Sequence, residues 1–272
     1  KQKEQTNLKM KNKNDINKIK MFVLDMDGTF YLGDKVIEGS LDFIEKLKGA
    51  GKDYVFFTNN SSKAASDYIE KLARMNCIIT KDQIMTSGDV TIEYINTYYQ
   101  NARVYLLGTK ELEKSFIDNN INLVEEGPDL VVVGFDMSLT YHKLERACTF
   151  IREGATFIAT HLDINCPTEN GFIPDCGAIC TAIALSTGVK PKYLGKPFIE
   201  TVDMIVKRTG FEREEIAFVG DRLYTDIATG VNNGSHGILV LTGETRLEDL
   251  DKSDVKPDLI FESLKEMSMY LS

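Results

Sequence analysis

Asp25 and Asp27 form the most distinctive chemical pattern in the sequence, two carboxylates two positions apart. They follow the apolar run Met21–Leu24 and are succeeded by Gly28 and Thr29. Carboxylates this close can share a site that pushes their pKa values apart. One ionised carboxylate can attack a phosphorus centre, while the other protonates the leaving oxygen and then activates water. The competing interpretation is an Asp/Gly turn after a strand.

Thr58 and Asn59 are a second candidate group, because they follow another apolar run. A hydroxyl and the backbone N–H groups after it can bind phosphate oxygens, although such residues also form turns and helix caps. Lys196 stands between Gly195 and Pro197, which restrict the local backbone. Its ammonium could balance a carboxylate cluster and a substrate phosphate; the alternative is an ordinary surface charge.

Asp221 and Asp226 complete the set, within a Gly-Asp-x-x-x-x-Asp pattern that follows the apolar run Ile216–Val219. Together with Asp25, Asp221 can ligate a hard cation, and Mg²⁺ suits one or two carboxylates plus waters and substrate oxygens. Without a metal, a carboxylate attacking a phosphate dianion meets like-charge repulsion. We expect Asp226 to orient Asp221 or a metal-bound water; the alternative is a first-turn helix charge.

Apolar runs and helical patterns alternate along the chain, which predicts an α/β fold with a parallel sheet. The predicted strands are Met21–Leu24, Tyr54–Phe57, Val104–Leu107, Leu130–Val133, Thr156–Ala159, Ile216–Val219 and Ile238–Leu241. The predicted helices are Leu41–Lys48 with Ser40 as its cap, 63–75, 112–119, 141–153, 177–187 and 199–209. Asp25, Thr58 and Asp221 stand at strand ends, where parallel sheets bind ligands, so they converge if their strands are neighbours. The middle segment lacks such ends and is interpreted as an inserted second domain.

Composition is typical of a soluble globular protein, and we expect a cytoplasmic one. The 272 residues carry a net charge of −9, although the first twenty hold seven lysines. The acidic remainder argues against nucleic-acid binding, and no apolar run is long enough for a membrane helix. Cys166, Cys176 and Cys180 lie near His161, but without CxxC spacing we interpret them as structural thiols rather than a zinc site.

The ordered motifs resemble those of the haloacid dehalogenase (HAD) superfamily, over residues 19 to 243. The closer likeness is to its NagD-like, p-nitrophenylphosphatase branch, which carries an α/β cap between the Thr and Lys motifs. The stretches that carry this likeness are Asp129–Asp136, Thr140–Tyr141, Gly154–Thr160, Pro167–Glu169, Gly177–Ile179 and Leu239–Gly243.

The resemblance implies a Mg²⁺-dependent phosphatase that cleaves small phosphate monoesters through a phospho-aspartate. Asp25 would be the nucleophile and a metal ligand, and Asp27 the general acid/base, with its backbone carbonyl on the metal. Thr58, Asn59 and Lys196 would hold the phosphate. Asp221 would complete the metal shell, with Asp226 behind it. The implied organisation is a Rossmann-like core over residues 19–91 and 189–272 and a cap over 92–188. Residues 1–18 are expected, from their lysine content, to form a flexible basic tail.

The chain departs from the branch pattern mainly in the predicted cap. His161 stands where Asn is common, shortly before Asp163, and Asp175 stands where Gly is usual. Phe30 replaces the usual Leu, which is a packing change. Since the cap selects the leaving group, His161 and Asp163 are candidates for substrate specificity, although His161 could equally be a core or solvated histidine.

Several alternatives stay open at this point. The same nucleophile would serve a phosphotransferase or mutase, and the same fold could serve a non-catalytic binding protein. The substrate is a small phosphorylated metabolite that the sequence does not name. Cap-mediated dimers occur in related branches, so a homodimer through the cap is one alternative for the oligomeric state.

Overall fold

The computed structural model describes residues 12–168 and 171–272. The described chain folds into two compact units. The first contains the described residues up to Phe57, with Leu72–Gln83 and Val202–Ser272, and the second contains Thr58–Lys71 and Ile84–Thr201. These bounds differ from the core and cap boundaries expected from sequence, at residues 91/92 and 188/189. The boundaries expected from sequence stay a prediction.

Strands and helices alternate through the described residues. The strands are β1 (Met21–Leu24), β2 (Tyr31–Leu32), β3 (Lys35–Val36), β4 (Asp53–Thr58), β5 (Ile84–Thr86), β6 (Arg103–Leu107), β7 (Asn122–Leu123), β8 (Leu130–Val133), β9 (Thr156–Ala159), β10 (Asn165–Thr168), β11 (Gly171–Pro174), β12 (Lys192–Tyr193), β13 (Ile216–Gly220), β14 (His236–Val240) and β15 (Leu259–Phe261). The α-helices are α1 (Ser40–Gly49), α2 (Ala65–Arg74), α3 (Ser87–Tyr98), α4 (Lys110–Asp118), α5 (Tyr141–Arg152), α6 (Cys176–Thr187), α7 (Ile199–Thr209), α8 (Ala228–Asn232) and α9 (Leu264–Ser268). Short 3₁₀ turns occur at Lys13–Lys18, Lys81–Gln83, Arg213–Glu215 and Leu247–Asp249, and a π turn occurs at Leu223–Ile227.

The first unit is organised around neighbouring strands in the order β15-β14-β13-β1-β4. β1 pairs in parallel with β13 on one side and with β4 on the other. All four residues of β1 and all five of β13 are buried, which explains their continuous apolar runs. β1 is thus the neighbour of both other strands, which is the condition stated above, and the α/β fold class is confirmed.

The second unit has its own sheet, with strand order β12-β9-β8-β6-β7 and parallel pairings throughout. The antiparallel hairpin β10–β11 belongs to the same unit. Helices α5 and α6 supply buried residues to a core that also includes Tyr105, Val131 and Phe157. Cys176 and Cys180 are fully buried in that core, which agrees with their interpretation as structural thiols.

Part of the predicted basic tail is structured. Lys13–Lys18 forms a 3₁₀ turn that begins with an Asn12–Asp15 capping box. Ile16 and Ile19 are fully buried, so apolar packing stabilises this turn against the first unit. The tail prediction for residues 1–11 lies outside the described residues.

The predicted cap of α1 is wrong by one residue. The helix begins at Ser40, and its cap is Gly39, which has a left-handed backbone (φ 84°) and no side-chain cap bond. A Cβ at Gly39 would lie 2.4 Å from Cβ of Lys265, so close packing against α9 excludes a larger residue. Within residues 12–168 and 171–272, none of the helices combines the length and the apolar character needed to cross a bilayer.

Candidate active site

Three carboxylates meet at the carboxyl edge of the first unit's sheet. Asp25 directly follows β1, and Asp221 directly follows the neighbouring strand β13. Asp226 reaches the same place from the π turn Leu223–Ile227. One carboxylate oxygen from each of the three lies within 4.8 Å of the others. The structure thus brings Asp25 and Asp221 together, as a shared cation site requires, and Asp226 joins them.

Asp221 is held in place by backbone that approaches it unusually closely. A Cβ at Gly28 would lie 2.6 Å from Asp221 Oδ2, and one at Gly243 would lie 2.0 Å from the same atom. The Glu244 N–H donates to Asp221 Oδ2 at 2.7 Å. Gly28 also has φ +90°, a conformation that favours glycine. A side chain at Gly28 or Gly243 would therefore collide with the Asp221 carboxylate, so this close approach requires glycine at both positions.

The other oxygen of Asp221 is buried and has no hydrogen-bond partner among the described residues. Burial, followed by the charge of Asp226, raises the pKa of Asp221 to about 6. A buried acceptor without a donor is costly unless a cation compensates it. Beside it stand two further carboxylates, and hard divalent cations prefer such oxygen ligands. The residues at this position therefore fit a divalent metal ion, with Asp25, Asp221 and Asp226 as candidate ligands.

Asp27 lies outside this group of three. Its side chain is exposed, and its backbone forms an isolated bridge with Tyr31. The turn between them is closed by Gly28 N–H donating to the Tyr31 carbonyl at 2.8 Å. Asp27 is therefore separate from the buried cluster and accessible to solvent, as a group that exchanges protons with water requires.

Arg222 and Glu244 are residues of this site that the motif analysis does not select. Arg222 Nε lies 3.0 Å from Glu244 Oε2. Burial opposes the charge of Arg222, but Asp25 and the other nearby acidic groups outweigh it and raise its pKa. A permanent cation thus stands beside the carboxylates. In the sequence, the signal that could have selected Arg222 is its position directly after Asp221.

In the second unit, the Asn59 side chain binds the backbone of Lys196 at two points. Asn59 Oδ1 accepts from Lys196 N–H at 2.8 Å, and Asn59 Nδ2 donates to the Lys196 carbonyl at 3.1 Å. Asn59 Nδ2 also donates to Asp163 Oδ2 at 3.0 Å. All three residues are buried. The structure thus brings together three predicted site residues from segments far apart in the chain.

Thr58 is the last residue of β4, and its hydroxyl accepts from the Asn60 N–H at 3.1 Å. This bond shapes the turn after the strand, as the alternative interpretation of this position anticipates. The role of Thr58 in phosphate binding stays a prediction.

His161 and Asp175 form a buried pair near this group, with 2.8 Å between His161 Nε2 and Asp175 Oδ1. Asp175 is also the N-cap of α6 and accepts from the Cys176 N–H. Ligand atoms of His161, Asp163 and Asp175 lie within 4.8 Å of one another. His161 is fully buried and has polar partners, which fits the core interpretation and not the solvated one. The role of His161 and Asp163 in substrate specificity stays a prediction.

The chain has close relatives of known name. Residues 22–122 match the family model described as haloacid dehalogenase-like hydrolase, and residues 193–267 match a second HAD-hydrolase-like model. The 4-nitrophenylphosphatase structure from Thermotoga maritima is 48% identical, with a TM-score of 0.91, and covers 94% of this chain and 99% of that one.

Two curated relatives match over nearly the whole chain. The 5'-nucleotidase YutF of Bacillus subtilis is 36% identical over 252 residues, which are 93% of this chain and 98% of the relative. An acid sugar phosphatase of Staphylococcus aureus is 38% identical over 250 residues, 91% and 96% of the two chains. The chain therefore belongs to the haloacid dehalogenase-like hydrolases, as its motifs predict, and is a phosphatase of that family.

Proposed function

We propose that this protein hydrolyses small phosphate monoesters in two steps, with Asp25 as the nucleophile and Mg²⁺ as the cofactor. The observation that carries the proposal is the carboxylate cluster, in which Asp221 Oδ1 is buried without a partner from the described residues, beside Asp25 and Asp226. When bound there, Mg²⁺ supplies positive charge that offsets repulsion between the Asp25 carboxylate and a phosphate dianion. Family membership supports the same chemistry.

In the first step, a carboxylate oxygen of Asp25 forms a bond to phosphorus while the ester P–O bond breaks. Asp27 gives its proton to the leaving oxygen, so that the alcohol departs neutral. In the second step, a water oxygen bonds to phosphorus, and the bond between Asp25 and phosphorus breaks. Asp27 takes a proton from that water, which returns both residues to their starting states.

The remaining residues have supporting roles in this proposal. Thr58 and Lys196 bind the phosphate, with Lys196 neutralising its charge. Asp226 orients the Asp221–Arg222 turn, since its Oδ2 accepts from the Arg222 N–H at 3.1 Å. The names of the relatives point to nucleoside monophosphates, sugar phosphates and 4-nitrophenyl phosphate as the substrates to try.

The test is phosphate release from a panel of these monoesters, with Mg²⁺ and with a chelator. We expect turnover that depends on Mg²⁺ and prefers one metabolite class. Folded protein that releases no phosphate from any of them in the presence of Mg²⁺ would contradict the proposal and favour transfer to an acceptor other than water.

A further inference from the structure

The two main departures from the branch pattern, His161 and Asp175, contact each other directly. His161 is fully buried and Asp175 is 4% exposed. Because an unpaired buried charge is costly, loss of either the imidazole or the carboxylate would leave the other group buried without its partner and destabilise the protein. They come together because Asp175 closes the hairpin β10–β11 immediately before α6, whereas His161 follows β9.

The other nitrogen of His161 faces two hydroxyl groups. His161 Nδ1 lies 2.9 Å from Thr160 Oγ1 and 3.3 Å from Ser87 Oγ. The Ser87 hydroxyl itself donates to the backbone carbonyl of Asn59. Its proton is thus committed, so it can only accept from the ring. A doubly protonated ring satisfies these contacts, with Nε2–H donating to Asp175 and Nδ1–H directed between the hydroxyls.

The acidic groups around His161 favour that protonated form. Burial alone disfavours it, but the charge of Cys176, the hydrogen bond to Asp175 and the charges of Asp175 and Asp163 outweigh burial and raise the pKa of His161 to about 9. We attribute the direction to the two carboxylates, because a buried thiol is a poorer partner for an imidazolium. The cation therefore persists at neutral pH.

Asn59 links this buried cation to Lys196. Ser87 binds the Asn59 carbonyl, and Asp163 binds the Asn59 side-chain amide. That amide in turn binds both the N–H and the carbonyl of Lys196. Every link is a hydrogen bond between buried groups, where loss of one partner is costly.

Gly195 makes the close approach of Lys196 possible. It has φ +57°, and a Cβ there would lie 2.7 Å from the Thr160 carbonyl and 2.9 Å from Asn59 Oδ1. The backbone before Lys196 is thus packed directly onto Thr160, which contacts His161, and onto Asn59, which Ser87 links to His161. Because these groups are closely packed, a displacement of Thr160 or Asn59 also displaces Lys196.

We propose that His161 is a positioning residue for Lys196, acting through Asp175 on one side and through Ser87 and Asn59 on the other. This inference rests on the proposed phosphate-binding role of Lys196. It differs from a metal-site interpretation of His161, Asp163 and Asp175, because a ring whose two nitrogens both donate hydrogen bonds has no lone pair left for a metal.

The experiment is a double-mutant cycle between His161→Asn and Lys196→Ala, measured as kcat/KM for 4-nitrophenyl phosphate with Mg²⁺ and as the inhibition constant of inorganic phosphate. We expect His161→Asn to lower kcat/KM and weaken phosphate inhibition about tenfold, since roughly this change accompanies a misplaced charged hydrogen-bonding group. In the Lys196→Ala background, His161→Asn should cause no further loss, because its effect passes through the lysine. His142→Asn, at an exposed position of α5, is the matched control and should behave as wild type.

Two results would overturn the inference: His161→Asn within twofold of wild type in both measurements, or losses that multiply in the double variant. If His161→Asn does not fold, Ser87→Ala tests the same chain of contacts, with the same two outcomes. Lys196→Ala with wild-type kinetics would instead refute the lysine's role in the proposed function, and the inference would fall with it. Inhibition by inorganic phosphate distinguishes a misplaced Lys196 from a general loss of stability. A folded variant in which Lys196 keeps its position would still be inhibited by phosphate as the wild type is.

Discussion

Gly243→Ala should damage the carboxylate cluster without changing any group that does chemistry. The new Cβ would lie 2.0 Å from Asp221 Oδ2, 2.5 Å from its Cγ and 2.8 Å from its Cβ. Rotating the carboxylate cannot relieve the last contact, so the backbone of Gly243 or Asp221 must move. Overpacking of this kind typically costs about 1–3 kcal/mol.

That cost has two measurable consequences. In a chain of this size, each kcal/mol lowers the melting temperature by roughly 2–4 °C. Moving Asp221 away from Asp25 also weakens metal binding, and we expect the Mg²⁺ concentration for half-maximal activity to rise at least about tenfold, which corresponds to about 1.4 kcal/mol. Mg²⁺ titration of 4-nitrophenyl phosphate hydrolysis and thermal unfolding measure the two effects.

Gly49→Ala provides the matched control. Gly49 ends α1, and a Cβ there would meet no described atom within 4 Å apart from its chain neighbours and the nearby backbone of its own helix. Since Ala is favoured over Gly in a helix by roughly 0.5–1 kcal/mol, its melting temperature should equal or exceed that of wild type. Its Mg²⁺ dependence should be unchanged. A Gly243→Ala variant with the Mg²⁺ requirement of wild type would refute the conclusion that the close approach of this backbone positions Asp221 for metal binding.

Two further predictions concern protons. Asp27→Asn should fold normally, since Asp27 is exposed. With 4-nitrophenyl phosphate, whose leaving group departs without a proton, the variant should accumulate phosphorylated enzyme because water is no longer activated; acid-quenched samples lacking any phosphoenzyme would contradict this. The ring of His161 should titrate by NMR near pH 9, being protonated below that pH and losing its charge above it, and Asp175→Asn should lower that pKa. A ring that titrates near the ordinary value of about 6.5 would contradict the charge assignment.

The apolar strands can be predicted from sequence because a parallel strand buried on both faces is apolar at every position. Met21–Leu24, Leu130–Val133 and Thr156–Ala159 have the predicted bounds. Helix α3 (Ser87–Tyr98) is absent from the predicted helices, since its first turn is polar and its start depends on a Thr86–Asp89 capping box. Strands of two or three residues, such as β5 and β12, carry too little pattern to detect.

The candidate site likewise has some features that the sequence predicts and others that only the fold shows. Sequence shows that Asp25 and Asp221 each follow an apolar strand, and the fold shows that those strands are neighbours. The contribution of Gly243 and Glu244 depends on how the chain leaves β14, which no local pattern encodes. The pairing of His161 with Asp175 joins residues 14 positions apart across a hairpin. Sequence shows both residues as departures from the branch pattern, and only the fold shows that they are one feature.

The central claim is that Asp25 carries the phosphoryl group. Rapid acid quench of the enzyme with a phosphate monoester and Mg²⁺, followed by mass spectrometry of the peptide that contains Asp25, tests it most directly. We predict a phosphoryl group on Asp25 in the wild type and none in Asp25→Asn, whose turnover should fall at least about a thousandfold. Near-normal turnover by Asp25→Asn, or a phosphoryl group found on another residue, would contradict the account.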